Sequence, residues 1–152
     1  MIRAATRADL AALVAMEGAF PEADRFDART WRRLLAGHSV TLVNETDGLA
    51  NANAILLFRN GSSIARLYSV SVAPAARGKG LGAALLCAAE HCAREQGAKR
   101  MRLEVRVTNK SAHRLYEAAG YRVIARLESY YPDGEAAHRM EKVLIAPSDG
   151  AS

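Results

Sequence analysis

Residues 70–86 read VSVAPAARGKGLGAALL. A β-branched run ends at Val72, five residues (73–77, APAAR) follow, and Gly78, Gly80 and Gly82 then lead into alanines and leucines. Alternating valine and serine suit a strand, and alanine and leucine suit a helix, so the stretch predicts a strand-to-helix junction. Glycines there let the backbone come close to a ligand. The amides of the first helical turn and the positive end of the helix dipole can then hold phosphate. Arg77 and Lys79 add positive charge, and residues 77–82 predict a cradle for a pyrophosphate-bearing ligand.

Spacing separates three kinds of phosphate-binding loop. An NTPase loop requires G-x-x-x-x-G-K-[ST], and Lys79 is followed by Gly80, so that pattern fails. Gly78, Gly80 and Ala83 fit the dinucleotide fingerprint G-x-G-x-x-A, with Glu104 about 20 residues on. Against it, five residues part Val72 from Gly78 where that fold needs a tight turn. The chain also closes on hairpin-joined strands rather than further β-α-β units.

Outward from the junction, the chain of 152 residues suits one domain, residues 1–146, with a frayed, disordered tail at 147–152. Strand patterns occupy residues 1–5, 39–45, 52–58, 64–72, 99–105, 121–131 and 135–145. Helical patterns follow Thr6, where T-x-x-D resembles a capping box, and Asp27, then the glycine loop, then Asn109. The order β-α-α-β-β-β-α-β-α-β-β predicts an α/β (α+β mixed) fold: a central mixed sheet of about seven strands flanked by about four helices.

Half of the residues are hydrophobic and 24% are charged, the composition of an ordinary globular protein. No apolar run approaches the roughly 20 residues that cross a bilayer, and no signal segment opens the sequence. The expectation is a cytoplasmic protein without a membrane partner. The net charge of +5 suits an anionic ligand or a solvated surface equally. No basic segment carries interleaved aromatics or a nucleic-acid-binding motif, so no nucleic-acid partner is expected. Cys87 and Cys92 would lie about 140° apart on one helix, which suits neither a disulfide nor a shared metal, and both read as small buried hydrophobes. No metal-ligand cluster stands out, and no metal is expected.

The junction strongly resembles the acetyl-CoA signature of the GNAT superfamily of N-acetyltransferases, [RQ]-x-x-G-x-[GA], at Arg77, Gly80 and Gly82. Residues 103–123, LEVRVTNKSAHRLYEAAGYRV, resemble the later family motif L-x-V-x-x-x-N-x-x-A-x-x-L-Y-x-x-x-G-F. The likeness runs from about Ile64 to Leu144 and is nearest to the ribosomal-protein-alanine (RimI-like) N-terminal acetyltransferases. It implies acetyl-CoA as cosubstrate, its diphosphate on Arg77, Gly78, Lys79, Gly80, Leu81 and Gly82, with Ala83 at the helix start. It implies the pantetheine arm beside Val70, Ser71 and Val72, and contact with Asn109.

Acetyl transfer to an amine requires the amine to lose a proton, donors for the oxyanion, and an acid for the departing thiolate. Tyr116 follows Asn109 by two helical turns on the same face, and its phenol is protonated at neutral pH. The resemblance assigns it the acid role; as an ordinary helix residue it would pack beside Leu115. Strand alternation turns Glu104 away from Leu103 and Val105. Its match in ribosomal-protein N-terminal acetyltransferases is the base, and its ordinary alternative is a solvated strand glutamate. His113 shares a helical face with Tyr116, while His38, His91 and His138 read as isolated, structural or solvated.

The resemblance also bears on the acceptor. ESYYPDGEAAHRMEK, residues 128–142, is similar to the region where protein N-terminal acetyltransferases hold the substrate backbone, which points to Tyr130 and Tyr131. Alternation in a strand would let only one of the two face a given groove. Phe20-Pro21 resembles the acceptor loop of the ribosomal-alanine enzymes, but the tryptophan that commonly follows is replaced by Glu22, Asp24 and Arg25 nearby. The reading is direct transfer to a protein N-terminus. Its alternatives are a small-molecule amine acetyltransferase and a non-catalytic acetyl-CoA sensor or partner subunit. A monomer or a homodimer suits all three.

Overall fold

A computed structural model of the chain describes residues 1–16 and 39–144. The elements are β1 (Ile2–Ala4), α1 (Leu10–Met16), β2 (Ser39–Thr46), β3 (Leu49–Leu57) and β4 (Ile64–Val72). They continue with α2 (Leu81–Glu95), β5 (Arg100–Arg106), α3 (Lys110–Ala118), β6 (Arg122–Leu127) and β7 (Ala137–Val143). The seven strands form one sheet in the order β1-β2-β3-β4-β5-β7-β6. β4 and β5 pair in parallel across the α2 crossover, Ile64 to Arg66 against Arg100 to Arg102, while β5–β7 and β6–β7 are antiparallel. The mixed seven-stranded sheet is the one the sequence pattern predicts. The expected helix after Asp27, Phe20 and the tail at 147–152 lie outside the described residues.

Close contacts divide the chain into two units. The first is Met1–Phe58 with Leu67–Ala89. Its core gathers Leu13 and Met16 from α1 against Val43, Ala50 and Ile55. Asp47 (φ 54°) and Gly48 (φ 80°) turn β2 into β3, the paired left-handed conformations of a tight hairpin. Thr6 and Asp9 do form the capping box, but around a single 3-10 turn, Arg7–Asp9, that precedes α1. Asp9 also receives both terminal nitrogens of Arg3, at 2.8 and 2.9 Å, so this carboxylate serves a cap and an ion pair at once. The Arg3 guanidinium holds the Asp9 carboxyl below the usual carboxylate range.

The second unit is Arg59–Arg66 with Glu90–Ser152. β5 sets its two faces. Met101, Leu103 and Val105 are buried together with Met140 of β7, whereas Arg100, Arg102, Glu104 and Arg106 point the other way. The α2 helix, which runs through both units, buries Leu85, Leu86, Ala89, Glu90 and Ala93. That stripe corrects the expectation for the cysteines. Cys87 falls outside it and is exposed, and Cys92 sits half-buried on its flank; both are free thiols. Burial pushes the Cys92 thiol upward, with a smaller push from Glu95.

Candidate active site

In the first unit β4 delivers Val70, Ser71 and Val72, with Ser71 buried and the valines half-buried. A 3-10 turn, Pro74–Ala76, follows, and Arg77 is extended (φ −68°, ψ 156°). Gly78 and Gly80 then take φ values of 79° and 76°, and α2 starts at Leu81. A Cβ added at either glycine would meet nothing within 4 Å. Left-handed backbone, rather than a tight approach within the protein, therefore requires glycine at both positions. Ala84 N–H bonds the Gly80 carbonyl at 3.1 Å, which places the amides of Leu81, Gly82 and Ala83 ahead of the helical ladder. Arg77 Nε turns back to the Val72 carbonyl at 3.3 Å, and Lys79 is exposed. Two left-handed glycines on either side of Lys79, before the open end of a 15-residue helix, offer backbone donors to a ligand. A diphosphate fits that chemistry.

The second unit carries the ionisable candidates. Asn109 caps α3, its side-chain oxygen accepting from Ala112 N–H at 3.2 Å. Tyr116 lies two turns on and is 7% exposed. Burial, then Tyr131, push its phenol up to about 12. Its ring meets that of Tyr121 edge to face, with centroids 5.8 Å apart. Tyr121 is itself buried; its pKa is raised by that burial and by the Glu90 carboxylate, which takes Lys142 Nζ at 2.9 Å.

Glu104 has a side chain only 5% exposed, yet it is no solvated strand residue. Oε1 pairs with Arg66 Nη2 at 2.5 Å, and Oε2 accepts from Arg139 Nε at 2.9 Å. Tyr130 accepts from Arg66 at 2.9 Å and donates to Oε1 at 3.5 Å. The strand registers explain the cluster: Glu104 stands opposite Arg139 on β7, and Arg66 pairs with Arg102, the next residue of β5 on the same face. Two guanidinium groups thus face one carboxylate.

Tyr130 and Tyr131 depart from the expected strand. β6 ends at Leu127, and both tyrosines sit in the loop before β7, their amides donating to the Glu135 carbonyl at 3.1 Å. Strand alternation therefore does not divide them. Their rings are 5.0 Å apart, with Tyr130 on the Arg66–Glu104 pair and Tyr131 under the Arg106 guanidinium at 4.1 Å. His138 is not isolated either. Its Nδ1 lies 2.9 Å from His113 Nε2, and His113 Nδ1 is 2.8 Å from the Asn109 carbonyl. A carbonyl only accepts, so His113 carries a proton on Nδ1. His91 pairs with Glu95 one turn on at 3.1 Å, and His38 lies outside the described residues.

The sequence reading missed Arg66 and Arg139. Alternation within β4 and β7 was the signal available, but it assigns them to the Glu104 face only once strand order and register are known. Among the described residues no group of three or more His, Cys, Asp or Glu could hold a metal ion.

Known proteins are similar to this chain in sequence and fold. Over 79 residues the chain is 40% identical to an N-alpha-acetyltransferase of Sulfurisphaera tokodaii, an overlap covering 51% of this chain and 47% of that protein. The chain thus spans about half the length of the curated relatives it matches. The crystal structure of the ribosomal-protein-S18-alanine N-acetyltransferase from Escherichia coli superposes with a TM-score of 0.83 at 28% identity, covering 98% of this chain and 97% of that one. YncA of Salmonella typhimurium, assigned as an acetyltransferase and solved with its cofactor acetyl-CoA, gives 0.80 at 25% identity, over 96% and 94% of the two chains. The model of the acetyltransferase (GNAT) family matches residues 10–121, a span holding both the glycine loop and the helix of Tyr116, and the chain belongs to that family.

Proposed function

We propose that the protein transfers the acetyl group of acetyl-CoA directly to the α-amino group of a protein or peptide. Acetyl-CoA supplies the thioester. Residues 77–82 with Ala83 hold its diphosphate on backbone amides, Val70, Ser71 and Val72 flank the pantetheine arm, and Asn109 contacts it. In the reaction the amine nitrogen forms a bond to the acetyl carbon, the carbon–sulfur bond breaks, the amine gives up a proton, and the sulfur receives one.

Tyr116 is the proton donor to sulfur. Held up to about 12, its phenol keeps its proton throughout the neutral range. Glu104 receives the amine's proton through water, because its two oxygens already serve Arg66 and Arg139, and Oε2, which accepts from Arg139 alone, retains a lone pair for a further donor. Tyr130 and Tyr131 line the acceptor's path.

The Arg139 guanidinium beside Glu104 is the observation that carries the choice of acceptor. A neighbouring cation disfavours an ammonium by roughly 1–3 kcal/mol, one or two pK units. An α-amine near 7.7–8.0 then becomes neutral at physiological pH, whereas a lysine near 10.4 stays charged. A polyamine brings several charges and is repelled outright. The test is competition between peptides with free N-termini, the same peptides with blocked N-termini, polyamines and an aminoglycoside, reading free coenzyme A. Turnover is expected on free N-termini alone, and turnover confined to small amines overturns the assignment.

A further inference from the structure

Resting on that acetyl-transfer reading, we propose that the preferred acceptor peptide carries an acidic side chain within its first three residues and that Arg139 binds it. Arg139 stands on β7 opposite Glu104 and spends only Nε on that carboxylate, at 2.9 Å. Its two terminal amino groups make no hydrogen bond or ion pair among the described residues, and the side chain is 33% exposed. A guanidinium anchored at Nε still offers the planar edge that grips a carboxylate with two parallel hydrogen bonds.

The neighbourhood leaves Arg139 without a purely internal task. Arg66 already pairs with Oε1 of Glu104, and Tyr130 donates to the same oxygen, so one guanidinium suffices to neutralise the buried carboxylate. The pattern recurs one step along the same face, where Glu141 is held by both Arg100 and Arg102. A chain entering beside Tyr130 meets the open edge of the Arg139 guanidinium. An aspartate or glutamate near its N-terminus gains a partner there, while a lysine is repelled. Arg139 acts on the acceptor's side chain and not on the reacting atoms. It is a specificity residue.

The experiment uses three peptides that differ only at the second residue (Glu, Gln or Lys), the same series at the third residue, and the whole chain with acetyl-CoA. In the parent, kcat/KM is expected to be roughly ten-fold higher for Glu than for Gln, lower again for Lys, and the ratio is expected to shrink as salt rises. In Arg139→Gln the Glu-to-Gln ratio should fall to within about two-fold of unity, and Arg139→Glu should reverse the order of Glu and Lys. Ratios within one variant cancel any effect of Arg139 on Glu104. The parent series and its salt dependence test the proposal even where a variant does not fold. Equal turnover of Glu and Gln peptides in the parent, or an unchanged ratio in a folded Arg139→Gln, overturns this inference and leaves N-terminal transfer standing. Absence of turnover on every peptide overturns both.

Discussion

Glu104 and Tyr116 lie on opposite sides of β5. Glu104 shares its face with Arg102 and Arg106, while α3, which carries Tyr116, covers the face of Val105, because His113 of α3 reaches His138, the residue paired with Val105. The proposed base and acid therefore do not touch each other.

Replacement of Tyr116 by phenylalanine removes the proposed proton donor and keeps the ring against Tyr121. Turnover should fall by roughly 10- to 1000-fold while affinity for coenzyme A is retained. Because the phenol is pushed up to about 12, the parent should lose no activity through this group between pH 7 and pH 10. A basic limb near pH 9 that vanishes in the variant would assign Tyr116 a lower pKa and a different task.

Glu104→Gln tests two consequences of one carboxylate. Turnover should fall by an amount that changes with pH, and a constant ratio to the parent across pH would clear Glu104 of the base role. Arg66 and Arg139 would also lose their shared counter-charge, so stability in urea should drop by about 1–3 kcal/mol. A variant as stable as the parent would mean that solvent already satisfies both arginines.

The His113–His138 pair predicts a loss of stability in mild acid. Burial foremost, then His113 and Arg126, lower the His138 pKa below its ordinary 6.5. The unfolded chain thus takes up this proton more readily than the folded one, and stability is lost as pH falls below about 6.5. Thermal midpoints measured at pH 7.5 and pH 5.5 should differ more in the parent than in His138→Gln. Equal shifts would remove the pair as the cause.

Gly80→Ala places a Cβ in open space, so its cost comes from the left-handed backbone alone, about 1 kcal/mol. Acetyl-CoA affinity should drop roughly ten-fold as the amides turn away. Gly48→Ala, at a comparable φ of 80° in the β2–β3 turn, is the control. It should share the stability cost and leave the affinity intact.

The glycine loop was legible because its signal is local: two left-handed residues and a helix start lie within five positions, and no other residue type serves there as well. β5 was equally legible, since strict alternation fixes what Glu104 faces away from. What it faces toward was not, because Arg66 and Arg139 come from strands 38 and 35 residues away in sequence, and their meeting depends on register. Tyr130 and Tyr131 were misread for a related reason. β-favouring residues ahead of the PDG turn look like strand, but the Glu135 carbonyl gathers both amides and ends the ladder early. The same blindness hid the histidine pair, split between a helix and a strand.

The most direct measurement is mass spectrometry of a peptide with a free N-terminus after incubation with the purified chain and acetyl-CoA. The account predicts the mass of one added acetyl group, placed on the α-amine by fragmentation, with coenzyme A released in equal amount. Acetyl-CoA left intact in the presence of every amine offered, or an acetyl group found only on lysine side chains, would contradict it.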